Sequence, residues 1–320
     1  INEAGGLCDW IAAGTAYSTH GVPMIPFFIF YSMFGFQRVG DLIWAAADQR
    51  TRGFLLGGTA GRTTLNGEGL QHEDGHSHLM SATIPNCKSY DPTYGYELAV
   101  IIQDGLQRMY VEQEDIFYYI TVMNENYEQP AMPENAAADI LKGMYLFKKG
   151  NANQFPRVQL LGSGTIFREV EAAAHLLRED WGVESDLWSC PSFTELARDG
   201  YECERWNRLH PTQPAKLAHV SQCLQAINGP VIAASDYTRA FAEQIRAFVQ
   251  TASYTVLGTD GFGRSDTREN LRQFFEVDRY YITIAALKSL ADLGEFDLAN
   301  VEQAIVKYAI KADRTAPWLI

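Results

Sequence analysis

Between residues 67 and 78 the chain reads GEGLQHEDGHSH, with three histidines, two glutamates and one aspartate set among three glycines. His72 to His76 spells H-E-x-x-H, the string in which zinc peptidases place two ligands one helical turn apart with Glu73 as general base. A helix there is disfavoured. Gly75 lies inside the proposed turn, Gly67 and Gly69 precede it, and Asp74 is a poor helix former. His78 follows His76 by two residues and would point elsewhere on such a helix. A polar surface loop with solvated histidines is the plain alternative. A third reading is a loop that presents acid and base groups to a buried small molecule, since functional side chains favour loops on rigid scaffolds.

Two further features could share that site. Phe28, Tyr31 and Phe34 recur every three residues and are followed by Phe36-Gln37-Arg38. They are ordinary core material, but at the carboxyl end of a strand they would also wall a flat heterocycle. Near the start, Glu3 precedes Ala4-Gly5-Gly6 and an apolar helical pattern. It suits the first turn of a helix on electrostatic grounds alone.

Strands alternating with helices must position these groups. Helical spacing is expected over 3–19, 40–50, 94–104, 165–178, 193–199, 236–249 and 282–293. Buried strands are expected at 23–31, 53–58, 84–87, 117–123, 157–161, 184–189, 230–235 and 254–257. That alternation predicts an α/β fold of two domains in series with mostly parallel sheets. The domains are expected at 1–130 and 157–320, with 131–156 as a linker marked by Pro133, Pro156 and the polar run KKGNANQ. Asp260, Arg264 and Asp266 lie in a Gly-rich segment read as a turn with surface salt bridges.

Composition limits the function classes. A hydrophobic fraction of 47% with 20% charged residues fits a globular protein with ample cores. A net charge of −13 opposes non-specific nucleic-acid binding. The apolar run at 22–30 is too short and too Pro-interrupted to span a bilayer, so no membrane role is expected. The five scattered cysteines, with no C-x-x-C, indicate reduced thiols in a cytoplasmic protein. The chain opens at Ile1 within a helical pattern, so it is expected to be a fragment of something longer.

Taken in order and spacing, Glu3 with Ala4-Gly5, FFIFYSMFGFQRVGD and GEGLQHEDGHSH resemble the pyrimidine-binding domain of transketolase-like thiamine diphosphate enzymes. The fit is closest to the decarboxylating component of bacterial homodimeric pyruvate dehydrogenase. IPNC, SYDP, NENY, SFTELARDG, CERWN and LGTDGFGRSD extend it over almost the whole chain. The resemblance implies a partial pyrimidine-binding domain followed by a transketolase C-terminal-like domain serving dimerisation and assembly. It implies that Glu3 hydrogen-bonds the aminopyrimidine, Phe28, Tyr31 and Phe34 surround that ring, and His72 binds substrate oxygen or moves protons. Glu68 is a second loop carboxylate beside them, and His76 and His78 are supporting or structural. No metal ligand is assigned, because the domain that would bind magnesium and the diphosphate through a GDG…N motif is absent from these residues.

The implied reaction is decarboxylation of pyruvate with acetyl transfer to the lipoyl domain of a dihydrolipoyl acetyltransferase, by a homodimer, with the isolated fragment inactive. A transketolase-type carbon–carbon transfer enzyme is the enzymatic alternative, disfavoured because the loop is not of the GEDGPTH kind. A non-catalytic interaction module of the same fold is the other.

Overall fold

Helix α1 (Glu3–Thr19) starts where Asn2 caps it, its side-chain oxygen accepting the Gly5 N–H at 3.2 Å. The computed structural model describes residues 2–151, 156–225, 229–251 and 253–320. Strand β1 (Phe27–Tyr31) follows, then α2 (Phe36–Asp48) and β2 (Phe54–Gly58). The short helix α3 (Ser77–Ala82) leads to β3 (Cys87–Tyr90), α4 (Gly95–Leu106) and β4 (Phe117–Thr121). These strands form an all-parallel sheet in the order β1-β2-β4-β3. Alternation along β4 sends Phe117 and Tyr119 to a core shared with Leu7, Trp10 and Ile43 of α1 and α2. Tyr118 and Ile120 face the opposite core, with Ile101 of α4.

Helix α5 (Ala137–Lys142) and strand β5 (Tyr145–Lys148) come next, followed by β6 (Arg157–Gly162), α6 (Phe167–Trp181), β7 (Glu184–Ser189) and α7 (Phe193–Leu209). Helix α8 (His219–Leu224), β8 (Val231–Ala234), α9 (Ala240–Glu243) and β9 (Tyr254–Leu257) complete the second sheet region. Helices α10 (Arg268–Phe274), α11 (Arg279–Asp292) and α12 (Leu298–Lys307) close the described chain. The second sheet runs β5-β7-β6-β8-β9, parallel except for β5. Its core holds Val158, Phe167 and Ile282 on one side and Leu161, Phe193 and Phe241 on the other. Two α/β units in series with mostly parallel sheets are thus present, as the alternation predicted.

Several boundaries differ from expectation. Residues 131–156 were expected as linker, yet they carry α5 and β5; residues 152–155 lie outside the described residues. Strand β5 pairs antiparallel with β7, Tyr145 opposite Ser189, which a polar and Pro-flanked segment conceals. Strand β1 starts at Phe27, not at 23, since Pro23 and Pro26 bring no amide donor to a ladder. The strand expected at 84–87 lies at Cys87–Tyr90, where Ser89 and Tyr90 are buried and the donor-less Pro85 stays outside. Helix α7 runs to Leu209, well past 199, on a largely polar sequence. The helix expected over 236–249 is only α9 and a 3-10 turn, Arg246–Phe248.

The carboxyl ends of the two sheets meet in a buried polar seam. Asp91, just after β3, accepts hydrogen bonds from Thr121 at 2.7 Å, Ser163 at 2.7 Å and Tyr237 at 3.1 Å. Burial pushes its carboxyl up to about 7. No helix among the described residues is long and apolar enough to cross a membrane.

Candidate cofactor and substrate site

The histidine loop runs from the end of β2 to α3 across the carboxyl edge of the first sheet. Leu70–His72 is a single 3-10 turn and α3 begins at Ser77, with His76 as its N-cap residue. His72 and His76 therefore share no helix, and the zinc-peptidase geometry is absent. Asp74 holds the corner: its Oδ1 accepts the N–H groups of His76 and Ser77, each at 3.0 Å, and Gln37 Nε2 at 2.9 Å. The Ser77 hydroxyl donates to the same carboxylate, and Tyr119 donates to Ser77 at 2.8 Å. Asp74, Ser77 and Tyr119 are buried, so their hydrogen bonds brace this corner of the loop.

His72 packs edge-on to Tyr31, ring centroids 5.2 Å apart, and against Phe34 at 4.9 Å. Its Nδ1 is buried without a hydrogen-bond partner, and Glu68 Oε2 lies 3.9 Å away, an ion-pair distance only when the imidazole is protonated. The Arg38 guanidinium lies over the Phe34 ring at 3.7 Å and reaches Glu3 Oε2 at 3.4 Å. Thus Glu3, Arg38, Phe34, Tyr31, His72 and Glu68 form one connected rim. Phe28 is half-buried against α1 and Phe30: a Cβ on Gly6 would lie 2.7 Å from its ring, and the Phe30 ring centroid is 5.3 Å away. The Arg38–Glu3 pair is half-exposed on the arginine side and worth less than about 1 kcal/mol, so a ligand can displace it.

His78 belongs elsewhere. It is fully buried, with Nδ1 2.8 Å from Ser89 Oγ and Nε2 3.0 Å from Thr121 Oγ1, and stacks on Phe241. Burial lowers its pKa to about 4, which keeps it neutral and structural. Glu73 is buried too. It accepts the Arg264 N–H at 2.7 Å on Oε2, while Oε1 has no partner, and burial pushes the carboxyl up to about 8. Arg62, whose guanidinium is pulled down by burial, donates to the carbonyls of Thr259 and Gly261.

The comparisons with known proteins agree along the chain. Residues 1–130 match the profile of the pyruvate dehydrogenase E1 component middle domain, and 143–278 that of the transketolase-like C-terminal domain. The Cupriavidus necator pyruvate dehydrogenase E1 component is 69% identical over 318 residues, covering 99% of this chain. The Escherichia coli K12 protein of the same name is 59% identical over 320 residues and covers all of it. This chain belongs to the pyruvate dehydrogenase E1 component family. It spans 35% and 36% of the length of those two relatives. Among solved structures, Campylobacter jejuni transketolase superposes with TM-score 0.63 at 18% identity, covering 87% of this chain and 38% of its own. An inactive β4 tetramer of a split-gene transketolase gives 0.62 at 14% identity, covering 91% of this chain and 82% of its own. Those two likenesses concern the fold alone.

In this E1-family chain, residue-type reasoning left Arg38 and Arg62 without a role. Arg38 could have been flagged as a cation four residues past Phe34 in an aromatic run. Arg62 carried no such signal, because its partners lie far along the sequence. The segment 259–266 is more than the surface turn expected. Asp260 does pair with Arg239 at 2.8 Å, but the Arg264 N–H and the Asp266 carbonyl bind the histidine loop, the latter accepting Gly67 N–H at 3.1 Å.

Proposed function

We propose that these residues supply the pyrimidine-binding and substrate-side groups of a cytoplasmic, thiamine diphosphate-dependent enzyme. In this reading the enzyme decarboxylates pyruvate and passes the acetyl group to a lipoyl domain of dihydrolipoyl acetyltransferase, working as a homodimer. The observation that carries it is the rim in which His72 lies on Tyr31 and Phe34 and is linked through Arg38 to Glu3. The relatives' shared name supports the substrate.

The residues fit the cofactor's ring. A carboxylate, two aromatic faces and an unpartnered buried imidazole nitrogen suit a flat heterocycle with polar edges. Thiamine diphosphate, when bound, supplies a nucleophilic carbon and an electron sink for the decarboxylation of a 2-oxo acid. Glu3 would hold the aminopyrimidine by a hydrogen bond, and Phe28, Tyr31 and Phe34 would shield the ring from water. His72 would hold the substrate's oxygen or shuttle a proton at Nδ1, with Glu68 stabilising the imidazolium. Among the described residues no group of three His, Cys, Asp or Glu could hold a metal ion, so magnesium is proposed to be bound outside them.

Pyruvate-dependent reduction of an artificial electron acceptor, in the protein at its relatives' full length, tests this reading. Glu3→Gln should lower kcat about a hundredfold or more, and His72→Ala by about tenfold to a hundredfold. Wild-type rates in both variants would sink it.

A further inference from the structure

His72 packs against Tyr31 and Phe34 but has no hydrogen bond at Nδ1, so the backbone on either side of it helps to set its position. The residue that follows, Glu73, is 1% exposed and touches the other sheet's apparatus rather than the rim. Its Oε2 accepts the Arg264 N–H at 2.7 Å. Gly263 lies so close that a Cβ there would come within 2.6 Å of Glu73 Oε2 and 3.0 Å of the Leu70 carbonyl. The loop is gripped on both flanks as well. Gly67 N–H donates to the Asp266 carbonyl at 3.1 Å, and Thr238 N–H donates to the Gly75 carbonyl at 2.9 Å.

We propose that Glu73 is a positioning residue, a clasp through which the Gly-rich loop at 259–266 holds His72 against Tyr31 and Phe34. The proposal rests on the reading of His72 as the substrate-side group. Burying a carboxyl with one oxygen unpartnered costs stability, and a residue serving only the core would be better replaced by an apolar one. The same burial excludes Glu73 as a base toward substrate, because its carboxyl contacts Gly263 and Arg264 while the His72 ring contacts the aromatic pair. The second sheet therefore takes part in the site without contributing a side chain to the rim.

The test compares Glu73→Ala, Glu73→Gln and Gly263→Ala in the protein at its relatives' full length. Backbone hydrogen exchange is read over 67–76 and 259–266, and kcat and KM are read with pyruvate. Glu73→Ala frees the Arg264 N–H and should speed exchange in both segments together. It should lower kcat about tenfold to a hundredfold, the cost of an ångström-scale misplacement, with KM moving less. Glu73→Gln keeps an accepting oxygen and should restore most of both readouts. Gly263→Ala, acting from the other side of the contact, should reproduce the Glu73→Ala pattern. Unchanged exchange at 259–266 in Glu73→Ala would overturn the clasp, as would loosened loops with wild-type kcat. An unsubstituted protein that ignored pyruvate would overturn the functional reading instead, and the exchange comparison would still decide the contact.

Discussion

His78 illustrates what burial does to an imidazole surrounded by hydroxyls and rings. Ser89 and Thr121 occupy its two nitrogens, and Phe241 and Tyr237 cover the ring. Its pKa falls from an unfolded value of about 6.5 to about 4. The unfolded chain thus binds the extra proton first. His78's contribution to stability is intact above pH 6.5 and is lost as pH falls toward 4, by roughly 3 kcal/mol. Asp91, pushed up to about 7, titrates in the opposite sense, so the net curve is a poor witness. The difference between wild type and His78→Gln isolates the imidazole. Chemical denaturation at pH 7 and pH 4 should show wild type losing roughly 3 kcal/mol more than the variant, and parallel losses would contradict it. At this scale the sequence exposed His72, Tyr31 and Phe34 as a group through their resemblance to a known pattern. It could not separate buried His78 from half-buried His72, six residues away, because loop geometry decides which face each presents.

Helix α1 and strand β1 approach each other through a gap that only glycine leaves. Gly6 faces the Phe28 ring, and an added methyl would meet Cε2 at 2.7 Å. Gly6→Ala gains helix propensity of about 1 kcal/mol, while the crowding costs about 1–3 kcal/mol unless the ring moves. Stability should therefore change little while Phe28 shifts. Thiamine diphosphate affinity, read by calorimetric titration, should weaken about tenfold; unchanged affinity would remove Phe28 from the proposed pocket. Elements were legible where their apolar residues form uninterrupted runs, as in Phe117–Thr121. They were obscure where tertiary cover substitutes for local pattern. Tyr145–Lys148 is a strand because Glu97 accepts the Tyr145 hydroxyl at 2.7 Å and β7 offers its free edge, and neither fact is local. Likewise, nothing within 259–266 announces that its amides face residues 67–73.

Across the whole molecule, one arginine joins three regions. Arg272 of α10 pairs with Glu125 beyond β4 and with Glu169 of α6 at 3.4 Å, and donates to Thr63 beyond β2 at 3.3 Å. All three side chains of the ion network are at least nine-tenths buried. Arg272→Met would leave two carboxylates without this cation, a loss of about 3–5 kcal/mol. Arg168 and Arg279 remain beside them and set the lower end of that range as the expectation. Urea unfolding should show the midpoint falling, and an unmoved midpoint would mean the remaining arginines suffice. The two-sheet plan was legible from the alternation of strands and helices. The contact between sheets was not, since each of its bonds spans a long stretch of chain.

Those spans bear on the order in which the molecule is built. The Arg264 amide that Glu73 accepts lies 191 residues downstream, and the Arg268 guanidinium that binds the Thr64 carbonyl lies 204 residues downstream. A ribosome adding about 5–20 residues per second needs roughly 10–40 seconds to supply them. During that interval the first sheet can already have paired its four parallel strands, whereas the histidine loop above it waits for its anchors. Closing such distant contacts carries a large loop entropy. The loop bearing His72 is thus the late-maturing part of a unit whose framework is complete long before.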